Sequence, residues 1–292
     1  MLKEIIANNF TLSFEVVPPR NGEVLKPVIE LLRFLKGKAD FVSVTESPMG
    51  SLRAGTIALS HFANSLGLPA AAHVICLGKT QQMIENQLLE LHYLGIRQLL
   101  ALRGDYPVNT EVVVKPECCT IKLIEQIKRL NHGLYLKRGK NSEFRKGLPT
   151  EFFVFVAGHP EWQVEKELRH MKAKQDAGAD AIITQMCFSE YGYAKYLRQL
   201  RGSGITLPVV AGIRPVTSTD QLIRYKDMFK VEIPPDLLTK LKRMDKESAR
   251  EYGLTIAVRF YKAVKSLGYA GAHFFCFNDK ELISELLNKL DK

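Results

Sequence analysis

The 292-residue chain is 46% hydrophobic and 25% charged, the balance of an ordinary globular protein. This excludes an extended disordered chain, a collagen-like repeat and a small disulfide scaffold, and no apolar run approaches the ~20 residues that a membrane-spanning helix needs. The net charge of +10 points to anionic partners or to a solvated basic face, densest at Lys137, Arg138, Lys140, Arg145 and Lys146.

The first residues, Met1-Leu2-Lys3-Glu4-Ile5, carry no apolar h-region and no small-residue cleavage site, so no signal peptide is expected. Short apolar runs then alternate with helix-period segments. Strands are predicted at 11–14, 41–44, 71–75, 98–102, 152–156, 181–184, 207–210 and 272–275, apolar throughout as strands buried on both faces are. Val24, Leu25, Val28, Leu31, Leu32 and Leu35 make one helical stripe, and Met83, Ile84, Leu88, Leu91 and Leu94 another. The last helix reads Leu282, Ile283, Leu286, Leu287 and Leu290, with Asp279 as its N-cap, and Gly95 and Gly178 are expected helix ends.

Eight strands, mostly followed by helices, predict a single (β/α)8 barrel over residues 1–292. A doubly wound open sheet is the rival, but no GxGxxG follows the first strand. Residues 132–150 form a basic insertion between helix four and strand five, long for a barrel loop. The five cysteines are odd in number and include no CxxC, which indicates a reducing, cytoplasmic setting; Cys118-Cys119 reads as an ordinary thiol pair.

In such a barrel, reactive groups project from the carboxyl ends of the strands. Those ends carry Glu15, then Thr45 and Glu46, His73, Arg103-Gly104-Asp105, His159-Pro160-Glu161, Thr184-Gln185, Gly212-Ile213-Arg214-Pro215 and Asn278. Glu15 lies between Phe14 and Val16, and reads either as a paired structural carboxylate or as a proton donor whose pKa burial raises. Arg103 and Asp105 either pair with each other or face a ligand, and His73 is either a satisfied core histidine or a site residue. Gln185 would orient a substrate rather than titrate. His159-Pro160-Glu161 alternatively starts a helix, with the proline in its first turn. There is no P-loop, HExxH, GxSxG or zinc-type spacing, and no metal is expected. Proton or hydride chemistry with an organic cofactor is favoured.

These residues resemble the methylenetetrahydrofolate reductase family. Ser13-Phe14-Glu15-Val16-Val17-Pro18-Pro19-Arg20 is similar to its opening S-F-E-[FV]-x-P-P-[RK], and Phe41-Val42-Ser43-Val44-Thr45 to its second strand. Ala72-His73, Leu102-Arg103-Gly104-Asp105, His159-Pro160-Glu161, and Asp176-Ala177-Gly178-Ala179-Asp180 with Ile183-Thr184-Gln185 match further motifs in the family's order. The resemblance implies a barrel that binds a flavin, FAD before FMN, and reduces 5,10-methylenetetrahydrofolate to 5-methyltetrahydrofolate. It makes Glu15 the general acid and Asp105 the carboxylate beside flavin and pterin. Gln185 and Ser13 become substrate-binding residues, and Thr45, His73, Arg103, Gly104, Asp105, His159 and Lys174 cofactor-binding ones, with Arg103 and Lys174 suited to the cofactor phosphate.

The chain departs from the family at the walls of this site. Glu46-Ser47-Pro48-Met49-Gly50 stands where the family has a Tyr-Gly-Ala stretch, and Cys118-Cys119 follows Lys115-Pro116-Glu117 where the family has a tyrosine. Asp279 replaces a basic residue, and the phenylalanine expected after Pro215-Val216 falls at Thr219 or its neighbours. These changes leave two electron donors open, NAD(P)H or a partner protein docking on the basic insertion. The expected partners are therefore tetrahydrofolate, an electron-donating protein and further copies of the chain, without nucleic acid. The alternative is a partner-dependent, flavin-poor folate-binding subunit of a larger one-carbon redox complex. A barrel acting on a phosphorylated substrate is less favoured, since Ala211-Gly212-Ile213-Arg214 matches a phosphate loop only weakly.

Overall fold

A computed structural model describes residues 2–106, 119–137 and 144–290. The first half runs α1 (Leu2–Asn8), β1 (Thr11–Val16), α2 (Lys26–Leu35), β2 (Phe41–Val44), α3 (Thr56–Ser65), β3 (Ala70–Ile75), α4 (Gln81–Tyr93), β4 (Gln98–Leu102) and α5 (Thr120–Asn131). A short antiparallel hairpin follows, β5 (Leu134–Tyr135) with β6 (Arg145–Lys146). The second half runs β7 (Phe153–Gly158), α6 (Val164–Asp176), β8 (Ala181–Met186), α7 (Glu190–Gly202), β9 (Val209–Ile213), α8 (Thr219–Phe229), α9 (Pro235–Lys242), α10 (Lys246–Ser266), β10 (Gly271–Phe274) and α11 (Lys280–Leu290). Eight strands close into a barrel in the order β1-β10-β9-β8-β7-β4-β3-β2, so the predicted (β/α)8 architecture forms.

Alternation along each strand sorts side chains between two cores. Phe14, Val16, Val42, Val44, Leu99, Ala101, Val154 and Val156 face outward and pack under the helices. Phe41, Ala71, Leu100, Phe153, Phe155, Ala181, Ile183 and Val210 fill the barrel interior, and Ile5 and Ile6 of α1 pack against them. The Phe41 and Phe155 rings stack across this interior at 5.4 Å. Both faces of the barrel strands are therefore largely dry, which is why these strands read as continuous apolar runs.

Three features differ from the sequence expectations. β1, β7, β8 and β9 reach further towards their carboxyl ends, so that Glu15 and Gln185 lie inside β1 and β8 rather than just past them. β9 starts at Val209, because Pro208 has no N–H to offer the ladder. Val24 and Leu25 precede α2 and are 73% and 43% exposed, and Met83 is 53% exposed because α4 buries the face of Ile84, Leu88 and Leu91. The predicted cap holds, with the Leu282 N–H donating to Asp279 Oδ1 at 2.9 Å.

Helices α8 and α9 are additions to the barrel pattern. With the start of α10 they enclose a separate apolar cluster of Met186, Phe188, Val216, Leu222, Tyr225 and Leu237. Gly253 lets α10 touch the chain leaving β9, since a Cβ there would stand 1.6 Å from the Val216 carbonyl oxygen. The 132–150 insertion is an α-to-β connection, hence at the amino ends of the strands, opposite Glu15. Tyr135 donates to the Leu148 carbonyl at 2.5 Å, and the Leu136 N–H donates to Glu85 of α4 at 2.9 Å. Arg138, Lys140, Lys115, Pro116, Glu117 and Cys118 lie outside the described residues. No helix among the described residues is long and apolar enough to cross a membrane.

The interior layer carries a measurable load. Phe155→Ala, at a side chain with no exposure, is expected to cost about 3–5 kcal/mol, and Leu52→Ala, 72% exposed, less than about 0.5 kcal/mol in urea unfolding.

Candidate active site

The inward-facing side chains change character towards the carboxyl ends of the strands. Above the aromatic layer come Ser13 of β1, Ser43 of β2, His73 of β3 and His273 of β10. Ser13 Oγ lies 2.8 Å from Nδ1 of His273, and Ser43 Oγ lies 3.1 Å from its Nε2, so both ring nitrogens are engaged. Burial pushes the His273 and His73 imidazoles down to about 3, and the two rings reinforce the effect on His273. Both are neutral at physiological pH. His73 differs in one respect: its Nε2 is buried and has no partner among the described residues.

Glu15 and Thr45 stand one step higher, at the mouth. Loss of water around Glu15 raises its carboxyl from 4.5 to about 7, and the Arg214 guanidinium opposes the rise without cancelling it. The carboxylate makes no hydrogen bond or ion pair with any described residue, so the paired structural reading does not apply. Thr45 is 2% exposed; its carbonyl accepts from Thr56 Oγ1 at 2.8 Å, and its own Oγ1 is a buried atom with no partner among the described residues. Thr45 and His73 thus present two unsatisfied polar atoms from adjacent strands.

Asp105 and Arg103 do not pair. Asp105 is exposed, and its Oδ2 accepts the Met49 N–H at 2.9 Å. The Arg103 guanidinium lies 5.8 Å from the Tyr106 ring centroid. Gly104 between them has φ +89, and a Cβ would press on Ile75 at 3.0 Å, so only glycine fits here without strain. The departure at 46–50 is folded onto this group. Ser47 and Met49 take left-handed backbone at φ 42 and φ 57 in a short turn, which delivers the Met49 N–H to Asp105. Glu46 pins the turn from behind, accepting from the Ile75 N–H at 2.9 Å and from Lys79 Nζ at 2.5 Å.

On the far side of the barrel, β8 is irregular between Ile183 and Met186. The irregularity re-aims Gln185, whose Oε1 accepts the Met186 N–H at 3.0 Å and leaves its amide N–H groups to donate elsewhere. His159-Pro160-Glu161 does not start a helix, since α6 begins at Val164. It forms a turn in which the His159 ring stacks on Trp162 at 4.1 Å and its Nδ1 sits 2.9 Å from Glu161. Lys174 is 7% exposed and donates to the Ala157 carbonyl at 2.6 Å. Burial lowers its pKa, and Glu167 resists that. Its ammonium is engaged inside the wall rather than presented at the mouth. Trp162 carries no signal in strand-end reasoning, because it sits in a loop, whereas Glu46 is visible at the end of the second strand but its hold on Ile75 and Lys79 is not. Among the described residues, no three His, Cys, Asp or Glu side chains are placed to hold a metal.

Comparisons with known proteins bear on the chain as a whole. The family model for methylenetetrahydrofolate reductase matches residues 1–291. The chain is 27% identical over 298 residues to methylenetetrahydrofolate reductase (NADH) 1 of Zea mays, a match covering 94% of this chain and 47% of that protein. It is 28% identical over 288 residues to 5,10-methylenetetrahydrofolate reductase of Escherichia coli, covering 95% and 89%. The chain spans about half the length of the plant and Schizosaccharomyces pombe relatives it matches. A solved Clostridium thermocellum protein that binds two copies of 5-methyl-5,6,7,8-tetrahydrofolic acid superposes with a TM-score of 0.68 at 12% identity, covering 98% of this chain and 96% of that one. At that identity the likeness shows the fold alone. With the family model matched along nearly its whole length, the chain belongs to the methylenetetrahydrofolate reductase family.

Proposed function

We propose that this chain reduces 5,10-methylenetetrahydrofolate to 5-methyltetrahydrofolate, with Glu15 as proton donor. The observation that carries the reading is a partly buried carboxyl group, raised to about 7 by loss of water, at the mouth of the barrel with no hydrogen-bond or ion-pair partner among the described residues. Such a group still holds its proton near neutral pH and can give it up, which is what a general acid requires. The names of the relatives and of the folate-binding barrel support the substrate.

The reaction adds one proton and one hydride to the folate and opens its five-membered ring. Glu15 gives its proton to the departing ring nitrogen, and positive charge develops at the other nitrogen. The exposed Asp105 carboxylate, held by the Met49 N–H, retains one free oxygen to stabilise that charge. The free amide N–H groups of Gln185 suit the carbonyl side of a pterin. Ser13 acts beneath Glu15 through its bond to His273, away from direct contact with substrate.

A flavin, when bound, supplies the hydride. The unsatisfied Thr45 Oγ1 and His73 Nε2 fit polar groups of such a ring system, and the Gly104 backbone permits close approach. Arg103 is exposed and has no acidic partner among the described residues, which suits it to a phosphate. Lys174, bonded to Ala157, contributes through the wall that carries His159. This reading keeps FAD ahead of FMN, and keeps both NAD(P)H and a partner protein as electron donors.

Two outcomes are expected. Protein incubated with FAD should show a flavin absorption band that bleaches on anaerobic addition of 5-methyltetrahydrofolate; no band with either FAD or FMN would contradict the flavin reading. Glu15→Gln should keep the flavin band while slowing folate turnover by roughly 10²-fold or more in rapid-mixing kinetics. A near wild-type rate would remove Glu15 from the acid role.

A further inference from the structure

Arg214 is a buried cation, 6% exposed, with no assigned role. It follows directly on β9 and is held from three directions. Its Nε donates to the Tyr225 hydroxyl of α8 at 3.1 Å, and its Nη1 donates to the Phe275 carbonyl just past β10. Its guanidinium carbon lies 4.4 Å from the Phe277 ring centroid and 5.3 Å from that of Tyr225.

The loop that supplies Phe277 is itself tied to the strand of the acid. Phe277 and Asn278 both take left-handed backbone, at φ 47 and φ 64, although neither is glycine. Asn278 holds that shape by donating to the Val17 carbonyl at 2.6 Å and accepting the Val17 N–H at 2.9 Å. Val17 is two residues beyond Glu15.

The strand registers set the spacing. Phe14 pairs with Phe274, and Phe274 pairs with Ile213. Glu15, Phe275 and Arg214 therefore stand at one level on β1, β10 and β9. At strand spacings of ~4.8 Å, the backbones of Glu15 and Arg214 are roughly 10 Å apart. The guanidinium closes part of that gap by reaching over β10 to the Phe275 carbonyl.

Resting on the folate reading above, we infer that Arg214 is a positioning residue for the proton donor: fixed over β10, it is the charge that stabilises the Glu15 carboxylate once its proton has left. A permanent cation in a poorly solvated site favours the carboxylate over the carboxylic acid. The opposing pulls on Glu15 follow this geometry, with burial raising it and Arg214 lowering it. The buried ionisable neighbours Cys276, His273 and His73 are uncharged at neutral pH. The Cys276 thiol is pushed up to about 12, and His273 and His73 lie at about 3. Asp279, on the same loop, is exposed and spends its carboxylate capping α11.

The test is infrared titration of the Glu15 carboxyl in flavin-loaded protein, with Glu15→Gln assigning the band. No folate is needed, so failure of this inference is distinct from failure of the folate reading, which would appear as wild-type protein unable to oxidise 5-methyltetrahydrofolate. Arg214→Gln is expected to move the midpoint upward by about one pH unit or more, and Arg214→Lys to restore most of the difference. Tyr225→Phe keeps the charge and the packing but releases one anchor. It should move the midpoint in the same direction by less, and serves where Arg214→Gln does not fold. A merely structural role would lower stability and leave the midpoint in place. An unmoved midpoint in the folded variants overturns the inference.

Discussion

Withdrawing water from the Glu15 carboxyl is the constraint on which the rest of the site depends. Strand alternation leaves β1 no choice: with Phe14 and Val16 packed outward under the helices, Ser13 and Glu15 must face the barrel interior. An ionised carboxylate in that position loses hydration that no neighbouring donor replaces. The group answers by keeping its proton to about 7. Its hold on the proton therefore follows from the fold, because the same pleat that builds the outer core aims the Glu15 carboxyl inward.

The layers beneath show how a barrel tolerates polar groups in its interior. Ser13 and Ser43 satisfy both nitrogens of His273, so that buried polar trio costs little and stiffens the floor of the site. Among the described residues, unsatisfied atoms remain on His73 of the same layer and on Thr45 one level up. Asp105 is prepared differently. Its partner is a backbone N–H presented by two left-handed residues, Ser47 and Met49, so a sequence unlike the family's there still serves the carboxylate.

The barrel was legible because strands dry on both faces leave short apolar runs, and because Gly95 and Gly178 end helices in left-handed backbone, at φ +77 and φ +101. Most of the candidate site was legible too, since strand ends are where such a fold collects polar side chains. Other features were not. Val24 and Leu25 look like core but precede α2, where Pro27 sits in the first turn, and face solvent. Helices α8 and α9 break the strand-helix rhythm, although Ser218 and Asp245 cap α8 and α10 with ordinary side-chain bonds. Lys174 was readable as a residue type but not as a donor to Ala157. Arg214 was visible at the end of a strand, yet its anchors at Tyr225, Phe275 and Phe277 come together only when the barrel closes.

The measurement that bears most directly on this account is the pH dependence of flavin oxidation by 5,10-methylenetetrahydrofolate, followed by rapid mixing in the flavin-reduced protein. With Glu15 as the acid, the rate should be constant at low pH and fall as pH rises through about 7, where the carboxyl loses its proton. A rate that stays level through that range, or falls only below pH 5, would contradict a protonated Glu15 as the donor.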